Sequence, residues 1–421
     1  MPSKLPFLGP ETNQFFIKLF RLALPFLFQK DLGGLKVDIS EDDYCKLKEL
    51  TSKRLLILPN HPTDNDPYVL LELSKRLNRN FNAVAAREVF DLDGGLRGKI
   101  FQLVGGYSII RGGIDRDSFK MSREMLTRGE NPLVIFIEGE VTYENDTLHP
   151  FEPGVIQLAF WAQEDILKLS TNQISVSQPD EGINILPFAI KYFFEGNHEQ
   201  AIKKALLRLE SALNVNNSSL DLYLRLRIVG EKILSIQENR LEIIPSKDDL
   251  SNSLTERIQR IKTTLFEKME KFLGIPIKLD QSITSRIHVI RNKVDKLGLT
   301  YQEEDHLSEY EKNVLAQTKL TLKGFYNDLN FLANFSVIRD GYVAEKKSPE
   351  RFIEVLQRME KEVFGEVKLK LPRIAKVKLG EVINTKQKYE EYKSNKKDTV
   401  QTIASKMERN MREMLQAMAN L

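Results

Sequence analysis

Cysteine is nearly missing from this 421-residue chain, which has Cys45 alone. One thiol excludes an intramolecular disulfide framework and suits a reducing compartment; with no motif around it, it is read as a small buried side chain. Histidine is scarce as well. His61, His149, His198, His288 and His306 are scattered without ligand spacing such as His-x-x-x-His, so neither a metal nor any other cofactor is expected. An excess of one charge is also missing. Lys and Arg number 62 against 59 Asp and Glu, a net charge of +3, which offers no concentrated basic face for nucleic acid. Any anion site must therefore be local. The Lys-rich stretches towards the C-terminus are interleaved with acids and read as solvated faces or headgroup contacts. Long apolar runs are absent too: no segment reaches the roughly 18 consecutive residues of a spanning helix. The nearest, Phe15–Phe28, is interrupted by Lys18, Arg21 and Pro25 and lacks a small-residue cleavage site. A helix of Phe and Leu with two cations able to snorkel predicts a segment lying in a membrane interface, the alternative being a helix packed on its own domain or a partner.

What is present is an ordinary globular composition, 41% hydrophobic and 29% charged, in a chain long enough for two or more domains. Leu35–Leu50 reads as polar and irregular. A buried strand is predicted at Leu55–Leu58, a helix at Pro67–Leu77, a strand at Phe81–Ala85 and a helical stretch at Arg87–Leu103. A strand at Tyr107–Ile110 follows, then a helix capped by Asp117 and running through Leu126. The run Leu133–Ile137, a helix at Gly154–Ala162 and a strand at Ile183–Ile190 complete the alternation. Strands alternating with helices predict an α/β fold with a mixed, largely parallel sheet flanked by helices. The expected organisation is an interfacial helix over 1–35, an α/β domain over 36–240 and a mainly helical extension over 241–421. Within the extension, a late strand and helix are predicted near 374–418. Leu224–Leu234 and Ile374–Ile383 both read as alternating strands ending in Gly-Glu, each followed by a helix, which suggests a partial duplication, two candidates for one last strand, or chance.

Chemistry is concentrated in Asn60–Asp66, NHPTDND, directly after a buried strand. Imidazole is the side chain that exchanges protons near neutrality, so His61 can take a proton from a hydroxyl and later release it. A carboxylate on its far nitrogen would fix the tautomer and stabilise the imidazolium. Asp66 is the expected partner and Asp64 its competitor. Gly106–Arg111 and Phe136–Gly139 also fall at or just after strand ends, where loops of parallel sheets carry function.

These segments together resemble the glycerolipid acyltransferases typified by lysophosphatidate acyltransferase. That family shows Asn-His, four residues and Asp; a Gly-containing strand ending in Arg; Phe-Pro-Glu-Gly; and a late apolar strand centred on proline. The chain offers Asn60, His61 and Asp66; Gly106 to Arg111; Phe136, Ile137, Glu138 and Gly139; and Ile185 to Ile190 around Pro187. Pro150, Phe151 and Gly154 fit the usual continuation, and the resemblance covers about residues 50–235. It implies His61 and Asp66 as catalytic residues and Asn60, Gly106, Arg111, Glu138 and Gly139 as substrate-binding residues. Arg111 would bind the acceptor's phosphate, with a fork suited to bidentate contact. Glu138 would hold a glycerol hydroxyl or a basic neighbour. Two departures stand out: Ile137 replaces Pro, and Glu140-Val141 replaces the family's common Thr-Arg. The second removes a cation and adds an anion where a phosphate would lie, leaving Arg111, with Arg87 or Arg116, to hold the acceptor.

The resemblance implies acyl transfer from a thioester, acyl-CoA or acyl carrier protein, to a lysophospholipid hydroxyl at the cytoplasmic side of a membrane. The first acceptor to consider is 1-acyl-glycerol 3-phosphate. Glycerol 3-phosphate, a non-phosphorylated alcohol, or a non-catalytic lipid-binding scaffold on the same fold are the alternatives.

Overall fold

The computed structural model describes residues 6–112, 115–171, 182–215, 220–243, 253–276, 283–300, 308–335, 341–346 and 348–419. The chain divides into two compact units, one formed by 7–109, 115–196 and 371–421, the other by 1–6, 110–114 and 197–370.

The first unit opens with α1 (Gln14–Leu32), β1 (Leu35–Ile39), α2 (Glu41–Leu50), β2 (Leu55–Pro59), α3 (Asp66–Arg76) and β3 (Asn82–Ala86). A 3-10 helix (Arg87–Gly95), α4 (Leu96–Leu103), β4 (Gly106–Ile109), α5 (Arg116–Arg128), β5 (Leu133–Val134), α6 (Pro153–Thr171) and β6 (Asn184–Phe194) follow. The second unit is helical among its described residues: α7 (His198–Ala212), α8 (Leu222–Arg240), α9 (Leu254–Leu273), α10 (Ile283–Thr300), α11 (Glu309–Phe335), α12 (Tyr342–Glu345) and α13 (Pro349–Phe364). The chain then returns to the first unit with β7 (Arg373–Leu379), β8 (Ile383–Asn384), α14 (Tyr389–Ser394) and α15 (Lys396–Ala419).

The strands form one sheet in the order β1-β7-β6-β2-β5-β3-β4, with β8 pairing β6. The pairings β1/β7, β2/β6, β2/β5, β3/β5 and β3/β4 are parallel, whereas β7 and β8 run antiparallel to β6. The mixed, largely parallel sheet flanked by helices and the helical later part are as the sequence predicts. β2 is buried at every residue, as a continuous apolar run in a two-sided parallel sheet should be. One face packs Leu56, Leu58, Ile185 and Ala189 against α6 and the methionine-rich side of α15. The other packs Ile57, Leu186, Phe188 and Ile190 against Val69, Leu70 and Leu73 of α3 and Leu47 and Leu50 of α2.

Several sequence expectations need correction. Leu35–Leu50 is ordered as β1 and α2, the helix capped by Ser40 with Glu41, Asp42 and Asp43 in its first turn. Its only buried residues are Leu47 and Leu50, too few for a visible period. Leu224–Leu234 lies inside α8, capped by Asp221, rather than forming a strand. Its apparent alternation counted Arg225 as a solvent-facing residue. Arg225 is buried in a bidentate pair with Glu210 of α7, at 2.8 and 2.7 Å, which restores helical spacing through Leu226, Val229, Gly230 and Ile233. Ile374–Ile383, by contrast, does contain a strand, so the two segments are not copies of one unit. The helix after β4 is capped by Asp115, not Asp117, which sits in its first turn. Arg87–Leu103 is broken where Asp93 and Gly94 take φ of 52° and 65°. Cys45 is exposed, its thiol against Glu41.

Helix α1 is docked. Ile17, Leu24, Phe28 and Leu32 are buried, and Arg21, instead of snorkelling, donates to Ser74, Asn78 and Asn80 side chains and to the Arg79 carbonyl. Among the described residues no helix is long and apolar enough to cross a membrane.

Candidate active site

β6 is longer than its neighbour. β2 stops at Pro59, opposite Phe188, while β6 continues to Phe194, leaving backbone groups that need partners. Two asparagine side chains replace the missing strand. The Asn60 carboxamide donates to the Ile190 carbonyl at 3.0 Å and accepts from its amide at 2.7 Å. Asn145 does the same for Tyr192, both bonds 2.7 Å. Asn60, 1% exposed, thus braces the loop that carries the next residue.

That residue, His61, is pinned from both sides of its peptide. Its amide donates to Glu138 Oε1 at 2.7 Å, and its carbonyl accepts from the Thr142 amide at 2.9 Å. Its ring stacks on Phe136, centroids 3.8 Å apart. Nδ1 lies 2.7 Å from Asp66 Oδ2. A carboxylate only accepts, so Nδ1 carries the proton and Nε2 presents a lone pair. The side chain remains 14% exposed, enough for a small group to reach it. Asp64, the competing carboxylate, is exposed in the same turn.

Asp66 is wholly buried at the first residue of α3, where the helix N-terminus favours negative charge. Besides His61 it accepts from the Thr63 amide (3.0 Å), the Thr63 hydroxyl (2.9 Å) and the Tyr192 hydroxyl (2.7 Å). Burial, and then the Asp66 charge, push the Tyr192 phenol well above its usual range, so it stays protonated and donates to the carboxylate.

Glu138 follows β5, whose ladder to β2 continues through Ile135 and Ile137. Each of its oxygens accepts one amide, from His61 and from His149, both at 2.7 Å. The carboxyl therefore clamps two loops together. Burial pushes its pKa up to about 7, with Asp66 and Glu140 adding repulsion and the two amides opposing. Gly139 has φ +73°, a turn conformation that disfavours a side chain. Gly106, at the start of β4, is needed for packing, since an added methyl would overlap the Phe101 ring.

Asn60, His61, Asp66, Glu138 and Gly139 thus gather at the carboxyl ends of β2 and β5. Arg111 falls in 110–114, grouped with the helical unit, where Asn292 donates to its carbonyl. Arg87 is paired with Asp91 at 2.8 Å, and Arg116 is exposed at the start of α5. Sequence reading missed Thr63, Asn145, Tyr192 and the Phe136 stack. Thr63 lies inside the motif and was legible as a local turn donor; Tyr192 shares a strand face with Phe188 and Ile190, but nothing in the sequence aims it at Asp66.

A histidine-carboxylate pair at the carboxyl ends of parallel strands defines an α/β enzyme of the proton-transfer kind. Residues 38–191 match the family model described as Acyltransferase, so this segment is an acyltransferase domain of the glycerolipid type and its chemistry is O-acyl transfer. No curated protein matches the chain.

Proposed function

We propose that the chain transfers a fatty acyl group from an acyl thioester to a hydroxyl of a glycerolipid acceptor, 1-acyl-glycerol 3-phosphate first among them, at a membrane surface. The observation that carries this reading is the 2.7 Å contact of His61 Nδ1 with buried Asp66, which leaves Nε2 free to accept a proton. In the reaction, Nε2 takes the hydroxyl proton as the acceptor oxygen attacks the thioester carbonyl. The tetrahedral intermediate then expels the thiolate, to which the imidazolium returns its proton. The base supplies about 10² to 10⁴ in rate, and positioning of the two substrates supplies most of the rest. The donor is acyl-CoA or an acyl carrier protein. Asn60 and Glu138 position the His61 loop, and Arg111 is the proposed phosphate ligand.

Glu140 favours a second reading. It stands where the family commonly has Thr and Val141 where it has Arg, so the loop gains an anion and loses a cation, and a non-phosphorylated alcohol or glycerol 3-phosphate is the competing acceptor. Peripheral attachment to a membrane is supported by the outer stripe of α1: Phe15, Leu19, Leu22 and Phe26 are 78%, 57%, 77% and 70% exposed.

A panel of acceptors with one labelled thioester tests both readings. Wild-type turnover on lysophosphatidate, abolished in His61→Ala, supports the first; turnover on the neutral alcohol alone supports the second. Wild-type inactivity on every acceptor would reduce the chain to a lipid-binding scaffold.

A further inference from the structure

Asp66 is a fully buried anion whose four direct partners, two groups of Thr63, Tyr192 and His61, are neutral while the imidazole awaits a proton. Removing a carboxylate from water costs several kcal/mol unless charge compensates. The nearby cation comes from β7, outside residues 38–191. Arg373 stands opposite Phe194 and Ala375 opposite Tyr192 in the antiparallel β6/β7 register, so Arg373 shares the sheet face from which Tyr192 reaches Asp66. Its side chain is 5% exposed, and its guanidinium lies over the rings of Tyr192 and Phe194, 5.8 and 5.2 Å from their centroids. Among the described residues no carboxylate is in ion-pair contact with it, and its Nε has no hydrogen-bond partner.

Such a guanidinium is unfavourable on its own. The ring faces account for part of its stabilisation, and the carboxylates acting on it are Asp64 and Asp66. Coulomb attraction is mutual, so the attraction that favours the Arg373 charge favours the Asp66 charge equally.

We infer that Arg373 is a positioning residue for the reaction: the buried countercharge of Asp66, acting through Tyr192, which holds the carboxylate oriented towards His61. The inference rests on the reading of His61 as the base. It makes the last strand part of the catalytic machinery, although some 300 residues separate it from the histidine, counted from Arg373 and His61.

The test uses the full chain carrying R373M or R373K, with two readouts. One is kcat and KM for thioester transfer; the other is the downfield proton resonance of His61 Nδ1, which reports the His61-Asp66 bond whether or not turnover occurs. R373M should lower kcat about tenfold or more, leave KM within about twofold, and shift or broaden the resonance. R373K, retaining the charge, should recover at least about half of kcat and the native resonance. Wild-type kcat and resonance in R373M would overturn the inference, as would R373K failing as fully as R373M. Should R373M not fold, R373K decides alone, its retention or loss of both signals supporting or overturning the assignment. A wild type inactive on every acceptor, with the resonance still responding to R373M, would sink the functional reading while leaving the countercharge in place.

Discussion

Replacing Asp66 by Asn isolates charge from geometry, because the site contains two kinds of donor. The Tyr192 and Thr63 hydroxyls on Oδ1 can rotate and accept, whereas the Thr63 amide on Oδ2, at 3.0 Å, can only donate. An Asn at this position therefore turns its carbonyl towards Thr63 N and His61 and its NH₂ towards the two hydroxyls. The Nδ1-H tautomer survives, and Nε2 stays a base. What disappears is the full negative charge facing the imidazolium as it forms. Two unit charges about 4 Å apart at an effective dielectric near 20 interact by about 4 kcal/mol, and the neutral amide dipole recovers part of that. A loss of about 2–4 kcal/mol corresponds to a kcat lower by about 30- to 1000-fold. Thiolate release from the acyl thioester, followed with a chromogenic thiol reagent at saturating acceptor, measures it. A D66N rate within about threefold of wild type would show that the charge is not used; a fall beyond about 10⁴, as when an Asn forces the wrong tautomer in serine proteases, would show that the hydroxyls do not reverse.

Other outcomes are expected elsewhere. Glu138 has a folded pKa of about 7 against an ordinary 4.5, so its contribution to stability is fully present below 4.5 and is lost as pH rises to about 7. That loss is about 3 kcal/mol in the wild type and absent in Glu138→Gln, which instead leaves one of two buried amides unpaired at about 1–3 kcal/mol. Urea midpoints of the two proteins should therefore converge between pH 5 and 7, and parallel curves would contradict the burial argument. Serine at Phe15, Leu19, Leu22 and Phe26 together should abolish binding to anionic liposomes while shifting the thermal midpoint little; deleting residues 1–30 is the poorer test, because it also removes the buried Ile17, Leu24 and Phe28. Arg225→Ala strands Glu210 as a buried charge and should destabilise the helical unit by about 3–5 kcal/mol, read by denaturant unfolding.

The sequence by itself determined what depends on neighbours along the chain. Four residues separate His61 from Asp66 and carry the chain from a strand end through one turn to the first position of a helix, so a histidine-carboxylate pair was legible in the motif. The buried strands β2 and β6 were likewise legible, because a strand covered on both faces shows as an unbroken apolar run. Asp66 could be preferred to Asp64 but not chosen, since the choice depends on which carboxylate the helix start buries beneath Tyr192.

Only the tertiary structure decided what depends on partners far away in sequence. β7 slips between β1 and β6, giving β1 a partner its polar sequence did not advertise. Arg225 reads as exposed until Glu210 of another helix pairs with it, and that one error turned α8 into an expected strand. That Glu138 clamps two backbone amides is invisible in its local sequence, and Arg373 has no meaning until the β6/β7 register, pairing it with Phe194, 179 positions away, brings it over Tyr192. The physical reason is the same throughout: periodicity records which side chains avoid water, but burial of a charge is decided by the group that meets it.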